Sequence, residues 1–256
     1  MSEYHHMGEK LPQQPESYWI KALNLPTFSP LKEDKQVDVV IVGGGITGIT
    51  VAFLLVNEGL KVAILEADSV LNGTTGHTTA KITAQHGLIY DELIQNTDLA
   101  TAKLYYEANK EALQFIRDTV EKQSISCDLQ KQDAYVYATT DEYSQKIEKE
   151  AEAYKALGIE GELIDSIPLD INIQKALVMK NQAQFHPLNY LAHLTKIIIE
   201  KGGEIFEQTT AVNIETGEQP VVLTRDGKRI SGNFVLCCTH FPFYEGVGLY
   251  STRLYA

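Results

Sequence analysis

A chain of 256 residues with 44% hydrophobic and 22% charged residues is long enough to bury a substantial core, as one large domain or two modest ones. Its formal net charge of -12 comes without a basic stripe or a Lys/Arg cluster, which argues against nucleic acid as a partner. The longest apolar runs are far shorter than a bilayer span, the polar amino terminus has no signal-peptide core, and Cys127, Cys237 and Cys238 make no disulfide framework; the expectation is a cytoplasmic protein with no integral membrane segment.

Residues 1–36 carry Pro12, Pro15, Pro26 and Pro30 without sustained periodicity, and are expected to lie over the surface as an arm anchored by Tyr18-Trp19-Ile20. A buried strand (Val37–Val42), a helix (Ile46–Glu58) stopped by Gly59 and a second buried strand (Lys61–Glu66) then make one βαβ unit. The turn-rich loop NGTTGHTTAKITAQHG leads to a long helix from Tyr90 to about Gln123, with Leu93, Leu104, Ala108, Leu113 and Ile116 on one face. A strand (Asp133–Thr140), a charged helix (Asp141–Leu157) read as a solvated face, a strand-like stretch (176–187) and a helix from Pro187 to Gly202 follow. GEIFEQTTAVNIET and PVVLTRDGKRI read as strands, and NFVLCCT as a short apolar strand of the parallel-sheet kind. The fold class is α/β: a Rossmann-like FAD/NAD(P)-binding domain of the glutathione-reductase type with an inserted α+β substrate domain.

The spacing Gly43-x-Gly45-x-x-Gly48 lies between a strand and a helix, the context in which it binds a dinucleotide. Gly43 permits the tight turn, Gly45 lets the backbone approach a pyrophosphate, and Gly48, with Ala52 four residues on, allows close helix–strand packing. The helix start at Ile46 and Thr47 offers unpaired N–H groups to the anion. Glu66 ends the second strand where a carboxylate can accept ribose hydroxyls, and its charge repels a 2′-phosphate, which favours FAD or NAD over NADP. A simple nicotinamide dehydrogenase continues directly into another βα unit; here a Gly/Thr loop and a large insertion follow, which points to flavin.

The Val37–Ala67 stretch followed by LNGTTGHTTAKITAQHG resembles the FAD-dependent amine and amino-acid oxidase superfamily of D-amino-acid, glycine and sarcosine oxidases. GTTGHTTAKITAQH and CCTHFPFY are similar to bacterial members that carry a carboxyl-terminal Rieske iron–sulfur domain. The resemblance implies that Gly73, Thr74, Thr75, Gly76, His77, Thr78 and Thr79 line the flavin beside Glu66 and Ala67. It also implies that the backbone at Val212 meets the adenine and that Thr239 ends the strand beneath the nucleotide. Lys81 or His77 could stabilise the reduced flavin, although Lys81 reads equally well as a solvated loop residue. The implied activity is oxidation of an amine or amino-acid-like small molecule by hydride transfer to flavin N5, with electrons passing to oxygen or to an acceptor domain or protein. The alternatives are an NAD-dependent dehydrogenase and a non-catalytic nucleotide-binding module.

The expected organisation is an arm (1–36), a discontinuous FAD-binding domain (37–90 and 187–240) and an incomplete substrate or cap domain (91–186 and 241–256). Family members continue past STRLYA, so the chain is expected to be a piece of a longer protein that holds flavin weakly on its own. A [2Fe-2S] cluster is expected only if a Rieske domain follows: Cys238-x-His240 has half of the ligand spacing, and no second Cys-x-x-His is present. No metal site is expected. Cys237 and Cys238 read as buried small hydrophobes, His86 and His186 as structural histidines, and Tyr105, Tyr106, Tyr135 and Tyr137 as packed rings in the insertion.

Overall fold

The protein is described here by a computed structural model that covers residues 17–21, 26–241 and 243–244. The chain divides into two compact units, one of residues up to Thr78 together with those from Pro187 onward, the other Thr79–His186.

The first unit opens with α1 (Tyr18–Lys21) and β1 (Lys35–Gln36). β2 (Val39–Val42) leads through α2 (Ile46–Asn57) to β3 (Val62–Leu65), and both strands are buried at every position, as strands covered on both faces must be. α2 buries Gly48, Ile49, Ala52, Phe53 and Val56, the spacing of one helical face, and Gly59 just beyond it takes a left-handed φ of +81°. A 3-10 turn (Thr74–His77) precedes the second unit.

That unit contains β4 (Lys81–Ile82), α3 (Ile89–Asn96), α4 (Leu99–Lys122), β5 (Gln130–Ala138), α5 (Asp141–Leu157), β6 (Gly161–Ile164) and β7 (Lys175–Gln184). β7 is its spine and pairs antiparallel with β4, β5 and β6. The chain then returns to the first unit as α6 (Pro187–Glu200), β8 (Glu204–Phe206), β9 (Ala211–Glu215), β10 (Val221–Thr224), β11 (Arg229–Ser231) and β12 (Phe234–Cys237).

The first unit is a three-layer arrangement. Its parallel sheet has the order β12-β2-β3-β8, with Val40 opposite both Ala63 and Val235. α2 and α6 pack on each other and on this sheet. A second sheet, β1-β11-β10-β9, contributes Ala211, Ile214, Val222 and Ile230 to a core shared with Val40, Val42, Ala63 and Leu65. The α/β class with an inserted α+β unit is therefore the fold observed. No helix among the described residues is long and apolar enough to cross a membrane.

Several local expectations change. The single helix over 90–123 is two, because the Asp98 side chain accepts the Thr101 N–H at 2.7 Å and starts a new helix there. In the second of them Leu113 is buried as expected, but Leu104 is 67% exposed and Ala108 exposed, while Ala102 and Thr119 are buried. GEIFEQTTAVNIET splits between the two sheets of the first unit, as β8 and β9. Residues 79–90 belong to the second unit, where β4 pairs with β7 and Tyr90 lies at the centre of an aromatic core with Tyr105, Tyr106 and Tyr154. Phe243 and Tyr244, expected in a cap, pack against the core of the first unit.

The charged helix α5 is not solvated all round. It buries Ile147, Ala151, Tyr154 and Leu157, and with them Glu150, which is 0% exposed. Glu150 accepts the N–H groups of Tyr90 at 3.0 Å and Asp91 at 2.8 Å, two of the unpaired donors at the start of α3. Burial pushes its carboxyl above the ordinary carboxylate range, the two amide bonds opposing that shift. A folded-state pKa raised above the unfolded value gives a contribution that is full below the unfolded pKa and lost as pH rises through the folded one. Glu150→Gln keeps one acceptor oxygen and does not titrate. Urea unfolding between about pH 4 and pH 7 should therefore show the wild type losing ground to the variant as pH rises.

Candidate functional site

At the carboxyl ends of β2 and β3 a cleft of about 690 Å³ opens in the first unit, within the range of small-molecule and cofactor sites. Its geometry begins with three glycines. Gly43 has φ +110°, and a Cβ there would lie 2.7 Å from the carbonyl oxygen of Cys238. A Cβ on Gly48 would lie 1.9 Å from the Gly43 carbonyl oxygen, so α2 can start where it does only with glycine at that position. Gly45 differs: its Cβ would meet only Thr75 Oγ1, at 3.2 Å, leaving the backbone open toward the cleft.

Gly44 is a site residue that the x positions of the motif conceal. Its Cβ would lie 2.9 Å from Val70 Cγ1, and its N–H donates to Glu66 Oε2 at 2.7 Å. Glu66 Oε1 accepts the Asp68 N–H at 3.0 Å. A carboxylate has about four lone-pair directions, so Glu66 keeps two for further donors while its orientation is set by the backbone. Thr75, buried in the 3-10 turn, accepts the Ile46 N–H on Oγ1 at 2.9 Å. Thr47 and Gly48 follow in the first turn of α2, where an N–H has no carbonyl one turn back and the helix end carries partial positive charge. No lysine or arginine lines the cleft among the described residues.

Of the residues singled out in the sequence, Gly43, Gly45, Ile46, Thr47, Glu66 and Ala67 line this cleft, together with Gly73, Thr74, Thr75, Thr78 and Thr239. Gly48 and Gly76 are buried behind its wall. His77 is exposed, with Nδ1 3.0 Å from the Gly73 carbonyl, and Val212 is 44% exposed beside a lining residue, Ala211. Thr79 and Lys81 belong to the second unit, Lys81 exposed on β4 opposite Gln184. Leu71, Thr209, Thr210, Cys238 and His240 also line the cleft. Leu71, Cys238 and His240 lie in stretches that carry the family resemblance, whereas Thr209 and Thr210 are brought there by the sheet topology with no local pattern to mark them.

The cysteines differ from expectation. β12 is parallel but lies at the sheet edge, so Cys237 is exposed and Cys238 half-buried. Burial raises both thiol pKa values, and each stays a thiol at neutral pH. In the second unit His86 Nδ1 is hydrogen-bonded to Tyr105 Oη at 2.7 Å, and the His186 N–H donates to the Cys127 carbonyl at 2.6 Å. Tyr105 and Tyr106 pack on the core as expected, whereas Tyr135 and Tyr137 on β5 are 38% and 47% exposed.

A glycine turn, a helix start and an anchored strand-end carboxylate around one cleft define a dinucleotide-binding α/β protein. Residues 38–253 match the family described as DAO, FAD dependent oxidoreductase, and the chain belongs to that family. It is 51% identical over 244 residues to a Bacillus subtilis (strain 168) protein named as the Rieske 2Fe-2S iron-sulfur protein YhfW, covering 95% of this chain and 48% of that one. It is 25% identical over 227 residues to the gamma-glutamylputrescine oxidoreductase of Escherichia coli (strain K12), covering 86% of this chain and 53% of the relative. The crystal structure of glycine oxidase from Geobacillus kaustophilus has the same fold, with a TM-score of 0.63 and 19% identity over 80% of this chain and 55% of that one. The chain thus spans about half the length of these curated relatives.

The contact at Gly48 gives a direct test. Gly48→Ala should destabilise the protein by about 3 kcal/mol, because the added methyl meets backbone that cannot move aside. Gly217→Ala, with nothing within 4 Å of the new Cβ, should stay within about 0.5 kcal/mol of wild type. Urea midpoints measured side by side read the difference.

Proposed function

We propose that the cleft holds FAD and that the chain serves an oxidoreductase acting on an amine or amino-acid-like small molecule. The observation that carries this reading is the fixed position of Glu66, tied to the glycine turn through Gly44 and aimed at the same cleft as the start of α2 and the 73–78 loop. The residues fit the cofactor: Gly45 leaves room where a side chain would block a pyrophosphate, and the free first-turn N–H groups of Thr47 and Gly48 suit its charge. With no lysine or arginine in the lining among the described residues, backbone dipoles would hold the anion there.

In this reading Gly43, Gly45, Ile46 and Thr47 hold the pyrophosphate and Glu66 accepts the ribose hydroxyls, with Ala67 beside it. The hydroxyls of Thr74, Thr75 and Thr78 supply polar contacts along the loop, with Gly73 and Gly76 giving it close approach. The backbone at Val212 serves the adenine, and Thr239 closes the cleft on the other side. FAD, when bound, would supply the redox chemistry, namely hydride acceptance at N5 from a substrate C–H beside nitrogen, with oxygen or an iron–sulfur domain as the proposed electron acceptor. His77 is the group proposed to stabilise the reduced cofactor; Lys81 belongs to the second unit. The amine class is supported by the name of the Escherichia coli relative, and a [2Fe-2S] acceptor by the name of the Bacillus subtilis one.

Titrating FAD into the purified full chain should raise its thermal midpoint and perturb the visible flavin bands, whereas NADP should give no thermal shift. Glu66→Ala should weaken FAD binding by about tenfold to a hundredfold, since charge-assisted bonds to the ribose are lost and the Gly44 N–H is orphaned. Thermal stabilisation by NAD with no uptake of FAD would overturn the reading.

A further inference from the structure

The residues of α1 lie against the 73–78 loop, and every contact between the two is specific. Ser17 Oγ donates to the carbonyl of Gly76, and Trp19 Nε1 donates to the carbonyl of Thr78 at 2.8 Å. Between these bonds Ile20 occupies the space that a side chain on Gly76 would need: a Cβ there would lie 2.9 Å from Ile20 Cδ1. Tyr18 meets Trp19 edge to face, with ring centroids 5.2 Å apart.

The loop also packs against α6, but the hydrogen bonding of its own backbone is slight. It is one turn of 3-10 helix, a geometry with poor hydrogen bonds that is used only in short pieces. Its internal bonds are the Gly76 N–H and His77 Nδ1, both at 3.0 Å from the Gly73 carbonyl. Yet the loop carries Thr75 and Thr78 into the lining of the cleft, and Thr75 Oγ1 takes the first N–H of α2. A continuous path therefore runs from residues 17–20 through two loop carbonyls to the helix end that faces the ligand.

We propose that α1 is a clamp that presets the 73–78 loop, and that Trp19 is a positioning residue of the nucleotide cleft, acting through Thr78 without touching the ligand. This rests on the FAD reading for its effect on affinity, and on the contacts alone for its effect on the loop. A loop held in its bound shape before the ligand arrives does not have to be ordered at binding, and the affinity retains that difference. Sequence separation gives the device a further property: Trp19 is 59 positions from Thr78, so the clamp can be released without altering any lining residue.

The test uses the full chain and Trp19→Phe, which keeps an aromatic ring and deletes the donor, alone and with Ser17→Ala. Hydrogen exchange of the FAD-free protein should quicken by about fivefold for amides in 73–78 and for Ile46 in the single variant, and further in the double, while the urea midpoint stays put. FAD affinity should fall by a similar factor of about five. Trp19 is the one tryptophan in the sequence, so its emission in the wild type should also change as FAD is titrated in. Wild-type exchange rates in 73–78 in both variants overturn the clamp, and faster exchange with unchanged FAD affinity overturns the positioning role. A wild-type chain that takes up no FAD brings down the cofactor reading alone, and loop exchange then decides the clamp.

Discussion

The first unit is organised around the approach of Gly48 to the Gly43 carbonyl, a contact closer than any side chain permits. It places the start of α2 directly over the end of β2. The positive φ of Gly43 then brings its Cα against the carbonyl of Cys238, whose own N–H bonds to Val42 at 2.7 Å, so the turn joins β2, α2 and the end of β12. The next residue extends the same logic to β3: Gly44 has no room for a side chain and gives its N–H to Glu66. Four elements thus meet at two consecutive glycines, and Glu66, which faces the cleft, is tied to the backbone of that turn.

That construction explains how an acidic chain can present an anion site. With a formal net charge of -12 and no lysine or arginine in the lining among the described residues, long-range attraction does not favour an anion here. Attraction has to be local, from N–H groups held in place by packing, and a helix end supplies it within about one turn. The carboxylate of Glu66 would oppose an anion beside it, but two backbone amides already share its charge and fix its direction.

The parts of this structure that were legible in the sequence are those in which residues near in the chain decide the outcome. The βαβ unit follows from apolar strands, a helical face and glycines in the Gly43-x-Gly45-x-x-Gly48 spacing, and Gly43, Gly45 and Glu66 come to the cleft on that basis. Asp98 is a local signal too, a capping residue three positions before Thr101, but the apolar periodicity around it masks the break. Other features are not local. That β12 is an edge strand, leaving Cys237 exposed, depends on which strands flank it, and apolar composition alone reads the same for edge and centre. Thr209 and Thr210 line the cleft because the connection between β8 and β9 lies beside it, a consequence of strand order.

Three glutamates share a use that the sequence does not show, although Glu66 itself is legible as a site residue. Glu66 takes the amides of Gly44 and Asp68; Glu150 takes those of Tyr90 and Asp91; Glu207, also buried, takes those of Phe28 and Val70, both at 2.8 Å. In each case one carboxylate satisfies two backbone N–H groups; it is brought from elsewhere in the fold for Glu150 and Glu207, and at Glu66 it lies two residues from one of its donors. A buried charge normally calls for a cation, but a carboxylate whose two oxygens each accept a backbone N–H has its charge solvated by fixed dipoles. Neutral donors also avoid desolvating a second ion, the larger part of the cost of a buried ion pair. With 34 acidic and 22 basic side chains, amide-solvated carboxylates give this chain a means of joining segments that does not draw on its few cations. Glu207 applies it at a consequential place, joining the segment at Phe28 to the Val70 turn that backs Gly44, and so bracing the glycine loop from the side away from the cleft.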